Sequence, residues 1–105
     1  MAQLTKDADK LICSIYKTYL ERRKSGVSKI NAMHFEPDFY KSDKILSSWI
    51  ESDVSVTLGE LKRAGFVKLF IRGNFQIMDD GIIYMENRFK NGLSEVTDFI
   101  SKFIP

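Results

Sequence analysis

The sequence predicts an α+β fold, and the stretch from Ser52 to Tyr84 carries the prediction. Val54, Leu58 and Leu61 recur at helical spacing up to Leu61-Lys62-Arg63-Ala64-Gly65-Phe66, where Gly65 supplies the left-handed residue that ends a helix without a Cβ clash. Val67 to Ile71 is rich in β-branched and aromatic residues. Gly73-Asn74, between Arg72 and Phe75, is read as a two-residue loop that folds antiparallel strands back into a short hairpin. Phe75-Gln76-Ile77-Met78-Asp79-Asp80-Gly81 then announces a further helix.

At 105 residues the chain fits one domain, 1–105, large enough for a real core. No repeat, low-complexity tract or Gly/Ser linker opens a second domain. No apolar run approaches the roughly 20 residues that a membrane span needs, so no membrane partner is expected. Met1-Ala2-Gln3-Leu4-Thr5-Lys6 lacks the apolar stretch of a secretory signal, and the single Cys13 cannot make an internal disulfide; the cytoplasm is the expected compartment. Sixteen basic side chains against fourteen acidic ones leave a net charge of +2, far from the balance that announces nucleic acid by itself.

In chain order, Thr5 or Asp7 can cap a first helix with Leu11, Ile12, Ile15, Tyr19 and Leu20 on one stripe. Lys17, Glu21 and Lys24 fall away from that stripe. The helix closes at Glu21-Arg22-Arg23-Lys24-Ser25-Gly26, where the cations suit the negative end of the helix dipole and read as a solvated helix end. Ser28 can cap a short helix through Ala32 and Phe35, with a break near Glu36 imposed by Pro37. Ser42 or Asp43 can open another turn or two bearing Ile45, Leu46, Trp49 and Ile50; helix is favoured there over an extended, buried stretch. Asp79 is expected to cap the helix that carries Ile82, Met85 and Phe89 and stops at Asn91-Gly92. A last helix follows with Leu93, Val96, Phe99, Ile100, Phe103 and Ile104 on one stripe. Either the first helix or a two-fold mate must cover that stripe, and the expectation is a homodimer through Phe99, Ile100, Phe103 and Ile104.

Helix, tight stop, hairpin and helix again is the order of a winged helix-turn-helix. The run Phe75-x-Ile77-x-x-x-Gly81 resembles that superfamily's Tyr-x-Leu-Thr-x-x-Gly exit from the wing. Asp9-Lys10-Leu11, Leu61-Lys62-Arg63 with Gly65-Phe66, Asp80-Gly81 with Tyr84-Met85-Glu86-Asn87, and the terminal amphipathic helix are similar to the small YjcQ-type winged-helix proteins of Gram-positive bacteria and their phages. The resemblance covers nearly the whole chain and departs in an enlarged Val27 to Glu51 segment and in Met78, where threonine is common. It implies an α+β winged helix with a short β-hairpin wing and an additional C-terminal amphipathic helix. It also implies DNA binding, the superfamily's usual occupation.

Chemistry is sparsely represented. His34 and Cys13 are single copies, which supports neither a multi-ligand metal site nor a Cys-His pair, and no Gly-rich phosphate loop occurs. Asp79-Asp80 is explained by its place at a helix start. The chain is therefore read as non-enzymatic, with no cofactor, metal or small-molecule ligand inferred. If Val54, Leu58 and Leu61 face the core, then Ser55, Val56, Gly59 and Arg63 point outward, with Lys62 and Glu60 on the flanks. Ser55 can reach a phosphate or base edge, Val56 a thymine methyl and Arg63 a guanine or phosphate, while Gly59 admits backbone closely; Glu60 argues the other way. Lys68 and Arg72 on the hairpin, with Asn74 at its tip, can lie along a neighbouring groove. The expected partner is double-stranded DNA, bound by a regulatory protein. The alternative is a protein-interaction or assembly module that offers its terminal helix and hairpin to a partner.

Overall fold

The computed structural model describes residues 3–103 as an α+β fold of six helices and a three-stranded antiparallel sheet. The Oγ1 of Thr5 accepts the N–H of Ala8 and opens α1 (Lys6–Lys24), the central helix. Its buried residues, among them Ala8, Leu11, Ile12, Cys13, Ile15, Tyr16 and Tyr19, extend beyond a single stripe because other helices close on it from several sides. The Val27 and Gly26 N–H groups donate back to the Arg22 and Arg23 carbonyls and finish it.

Ser28 caps α2 (Lys29–Met33) by accepting the Asn31 N–H, but the helix stops short of the expected Phe35. His34–Phe35 is instead a strand, β1. The cause is tertiary: the Phe35 ring stacks on Phe75 with centroids 5.2 Å apart, and the Arg22 guanidinium lies 4.3 Å from the Phe35 ring centroid while donating to the Ala32 and His34 carbonyls. One helical turn follows, α3 (Phe39–Ser42). The helix expected over Ile45 to Ile50 is not formed, and the chain runs there in turns. Asp43 opens one turn as a cap would, its carboxylate accepting the N–H groups of Ile45 and Leu46 and its carbonyl the Ser47 N–H, but the next bond, from the Trp49 N–H to the Leu46 carbonyl, spans only three residues and the pattern ends. Ile45 and Leu46 are buried in this non-helical form, while Ile50 is exposed.

α4 (Glu51–Arg63) buries Val54, Thr57, Leu58 and Leu61. It ends as expected: Gly65 has φ +82°, and the Phe66 and Gly65 N–H groups donate to the carbonyls of Leu61 and Lys62. β2 (Val67–Leu69) and β3 (Phe75–Ile77) pair antiparallel, Val67 opposite Ile77 and Leu69 opposite Phe75, and β1 pairs on the far side of β3, giving the order β1-β3-β2. Phe35, Val67, Phe75 and Ile77 carry the sheet's buried face. The two-residue loop Gly73-Asn74 needs correction. The Phe70 N–H donates to the Asn74 carbonyl and the Gly73 N–H to the Phe70 carbonyl, so the loop is Ile71-Arg72-Gly73, with Gly73 at φ +91°. A turn followed by one left-handed residue suits the twist of the paired strands.

α5 (Asp79–Arg88) begins after Met78, which has no side-chain cap; Asp79 is the first helical residue and not the cap expected, although with Asp80 it places charge at the positive helix end. The Met78 N–H donates to the Phe66 carbonyl at 2.8 Å, which draws the start of α5 against the junction of α4 and β2. Arg88 on α5 donates to both carboxylate oxygens of Asp9 on α1, and its guanidinium lies 4.7 Å over Phe99. α6 (Leu93–Ser101) packs on α1 and buries Val96 and Ile100. Cover for the terminal stripe thus comes from within the chain, and Ile100, at 4% exposure, is removed from the expected dimer surface. Phe99 and Phe103 are half-buried and in edge contact with each other; Ile104 lies outside the described residues. Among the described residues, no helix is long and apolar enough to cross a membrane.

Candidate nucleic-acid interface

Burial of Val54, Leu58 and Leu61 turns Ser55, Val56, Lys62 and Arg63 to solvent, as the helical spacing predicts. Gly59 is half-buried, and a Cβ built there would stand 3.5 Å from Arg63 Nη1, so the Arg63 side chain folds back over the expected backbone approach. Glu60 has a different role from the one expected. Its carboxylate accepts the Thr5 N–H at 2.8 Å and the Thr5 hydroxyl at 2.7 Å, which directs its charge at the positive end of α1 and ties α4 to that end.

On the hairpin, Lys68 stands exposed on the outer face of the sheet in one row with Gln76 and His34, its Nζ 5.4 Å over the Phe70 ring. Arg72 is exposed in the loop. Asn74 is not at the tip: it sits opposite Phe70, half-buried, with Nδ2 3.2 Å from His34 Nε2. The tip belongs to Ile71, which is fully exposed and was missed because a two-residue loop leaves it inside a strand.

Lys62, Arg63, Lys68 and Arg72 have no carboxylate within salt-bridge distance among the described residues, whereas Lys17, Lys29 and Arg88 do. Of the three acids of α4, Glu51 and Asp53 stand in its first turn, and the third, Glu60, is turned to Thr5 at the start of α1. The helix is therefore polarised, acidic where it begins and basic where it runs through Gly65 into the hairpin. An anionic backbone meets attraction at the second half of α4 and on the hairpin, and repulsion at the first turn.

No group of His, Cys, Asp or Glu that could hold a metal occurs among the described residues. Burial, reinforced by the charge of Asp9, pushes the Cys13 thiol up to about 12, so it is a poor nucleophile. A cavity of about 400 Å³ opens elsewhere, between α1, the α3 region and α6, with Ser14, Lys17, Arg22, Phe39, Lys44 and Ile100 in its lining. No sequence signal marked it, because its walls come from three separated segments. Comparisons with protein-family models, with curated proteins and with solved structures returned no match.

Proposed function

We propose that the chain is a winged-helix protein, akin to the YjcQ-type proteins it resembles, that binds double-stranded DNA without catalysis and acts in regulation. The observation that carries this reading is the placement of four exposed cations, Lys62, Arg63, Lys68 and Arg72, on the end of α4 and the hairpin joined to it, none with a carboxylate in salt-bridge distance among the described residues. The chain order α1, α2, β1, α3, α4, β2, β3, with α2 an extra short helix and the sheet order β1-β3-β2, supports the winged-helix part. In this reading α4 enters the major groove, Arg63 meets a guanine edge or phosphate, and Lys62, Lys68 and Arg72 meet phosphates. Ser55 and Val56 are left to read base edges.

Fluorescence anisotropy with a labelled random duplex tests it. Three phosphate contacts, or four if Arg63 meets a phosphate, give a slope of log K against log salt of about −2.7 to −3.6. Replacing Lys62 and Arg63 together by alanine should weaken binding and flatten the slope to about −1.8, with an unchanged circular dichroism spectrum. Wild-type chain that fails to bind any duplex at micromolar concentration and low salt overturns the reading. A protein-interaction module would then stand ahead, favoured by Ile71, exposed at the hairpin tip, and by the exposed Val56. A homodimer enters the proposal only through Phe99 and Phe103, and sedimentation equilibrium of the intact chain beside Phe103→Glu tests that contact.

A further inference from the structure

We propose that the cavity between α1, the α3 region and α6 is a binding site for a small organic carboxylate carried on an apolar body. The inference is independent of the DNA reading, since none of the four cations on α4 and the hairpin lines this cavity. Its volume, about 400 Å³, lies within the range of small-molecule sites, about 300–1,000 Å³.

Three observations give the ligand its chemistry. The first is Ser14, 1% exposed, which lines the cavity and whose hydroxyl has no hydrogen-bond partner. A buried hydroxyl left alone is unfavourable; closed off from the cavity in the free protein, it would have to turn about χ1 for a ligand oxygen to satisfy it. The second is charge. Glu21 is paired with Lys17 at 3.0 Å and the Asp43 carboxylate holds the N–H groups of Ile45 and Leu46, so both acids of the lining are committed. Arg22 and Lys44 are not: neither has a carboxylate within salt-bridge distance among the described residues. Arg22 spends only Nη1 on the Ala32 and His34 carbonyls, leaving the other N–H groups of its guanidinium for an acceptor. Burial lowers the pKa of this guanidinium, the cost that an arriving anion offsets. The third is the apolar part of the lining, Phe39, Ile45 and Ile100, against which a hydrocarbon body can rest. Three cations, Lys17, Arg22 and Lys44, against two carboxylates, Glu21 and Asp43, leave the lining one positive charge in excess, which beside an apolar wall suits a monocarboxylate with a ring or short chain better than a phosphate, whose greater charge would have no further partner.

Titration of the isotope-labelled full chain by NMR, with phenylacetate and with its neutral isostere phenylacetamide, tests the proposal. Phenylacetate should give saturable shifts centred on Ser14, Thr18, Arg22, Phe39 and Ile45, with the amide bound about tenfold more weakly for want of the charge. Ser14→Ala and Lys44→Gln should each weaken phenylacetate about three- to tenfold, both with native spectra. Ser14→Ala should also melt no lower than wild type, since it removes a hydroxyl that has no partner in the free protein. Absence of a saturable shift at about 20 mM phenylacetate, roughly the weakest specific affinity worth the name, overturns the proposal. So do equal responses to acid and amide, shifts centred away from the cavity, or binding indifferent to both substitutions.

Discussion

Replacing Gly81 by alanine should destabilise the protein, against the direction that helix propensity alone dictates. Gly81 is the third residue of α5, and a Cβ added there would stand 2.6 Å from the Phe66 carbonyl oxygen, 3.1 Å from Phe66 Cβ and 3.2 Å from Phe66 Cα. The obstacle is backbone, held in place because the same carbonyl accepts the Met78 N–H at 2.8 Å. Alanine in a helix gains up to about 1 kcal/mol over glycine, less near the first turn. Against that, forcing the contact open costs about 1–3 kcal/mol as overpacking, and stretching the Met78 hydrogen bond costs about 0.5–1.5 kcal/mol more. The net loss is about 1–3 kcal/mol, equivalent to a fall in Tm of roughly 5–20 °C for a domain of this size. Gly59→Ala is the matched control: its Cβ would meet only the end of the Arg63 side chain at 3.5 Å, so it should stabilise α4 by about 0.5–1 kcal/mol. Urea unfolding followed by far-UV circular dichroism, with m unchanged, reads both. A Gly81→Ala variant as stable as wild type, or less harmed than Gly59→Ala, refutes the reasoning. The test also gives the glycine of Phe75-x-Ile77-x-x-x-Gly81 a physical meaning, as the residue that lets the helix after the hairpin close on the end of α4.

Four further outcomes follow, three from the packing around α1 and one from the end of α4. Asp9→Asn should cost about 1–2 kcal/mol by urea unfolding, the worth of a charge-assisted pair discounted because both side chains keep about a quarter of their exposure; no loss would show that Arg88 is held by the rings of Phe89 and Phe99 alone. Cys13 should resist a thiol reagent at pH 8 until the protein unfolds, and modification at the rate of a free thiol would contradict its burial. Its folded pKa, raised to about 12 from 9.0, gives a stabilising contribution that is complete below about pH 9 and falls away as pH rises towards about 12, which chemical unfolding across that window should show. Gly65→Ala should cost about 1–2 kcal/mol although nothing lies near its Cβ, because φ is +82°; an unaffected variant would mean that the turn relaxes.

The features legible in the sequence are those with local causes. Thr5 caps α1 three residues away, and Gly65 ends α4 through bonds to Leu61 and Lys62, all within one turn of chain. β1 was illegible because its causes are distant: Phe75 stacks on Phe35, and Arg22 grips the carbonyls on either side of Met33. Over Ile45 to Trp49 the apolar residues fit either a helix or a buried extended stretch, and the chain takes neither: Asp43 caps a single turn that is not continued past Ser47. At the hairpin the Gly-Asn pair is a strong local turn signal, yet pairing of Phe70 with Asn74 moves the loop by two residues and brings Ile71 to the tip. That shift turns an expected strand residue into exposed apolar surface.

The same division by distance runs through the candidate site and shapes how DNA would be bound. The outward set of Ser55, Val56, Lys62 and Arg63 follows from helical spacing alone. What could not be read is that Glu60 is engaged by Thr5 and Asn74 by His34, partners far away in the chain. Both engagements change the interface: one withdraws a negative charge from beside Arg63, and the other withdraws an amide from base reading. The residues suited to discriminate bases are then Ser55 and Val56, together with Arg63. Ser55 and Val56 stand within a turn of Glu51 and Asp53, where phosphate is repelled, whereas Lys62, Lys68 and Arg72 stand where it is attracted. In the proposed DNA complex, Arg63 apart, affinity and specificity would therefore be carried by different ends of the face. Binding through this surface should be dominated by the sequence-independent, salt-sensitive term, with modest discrimination between duplexes, unless a partner or a second copy neutralises the acidic first turn of α4.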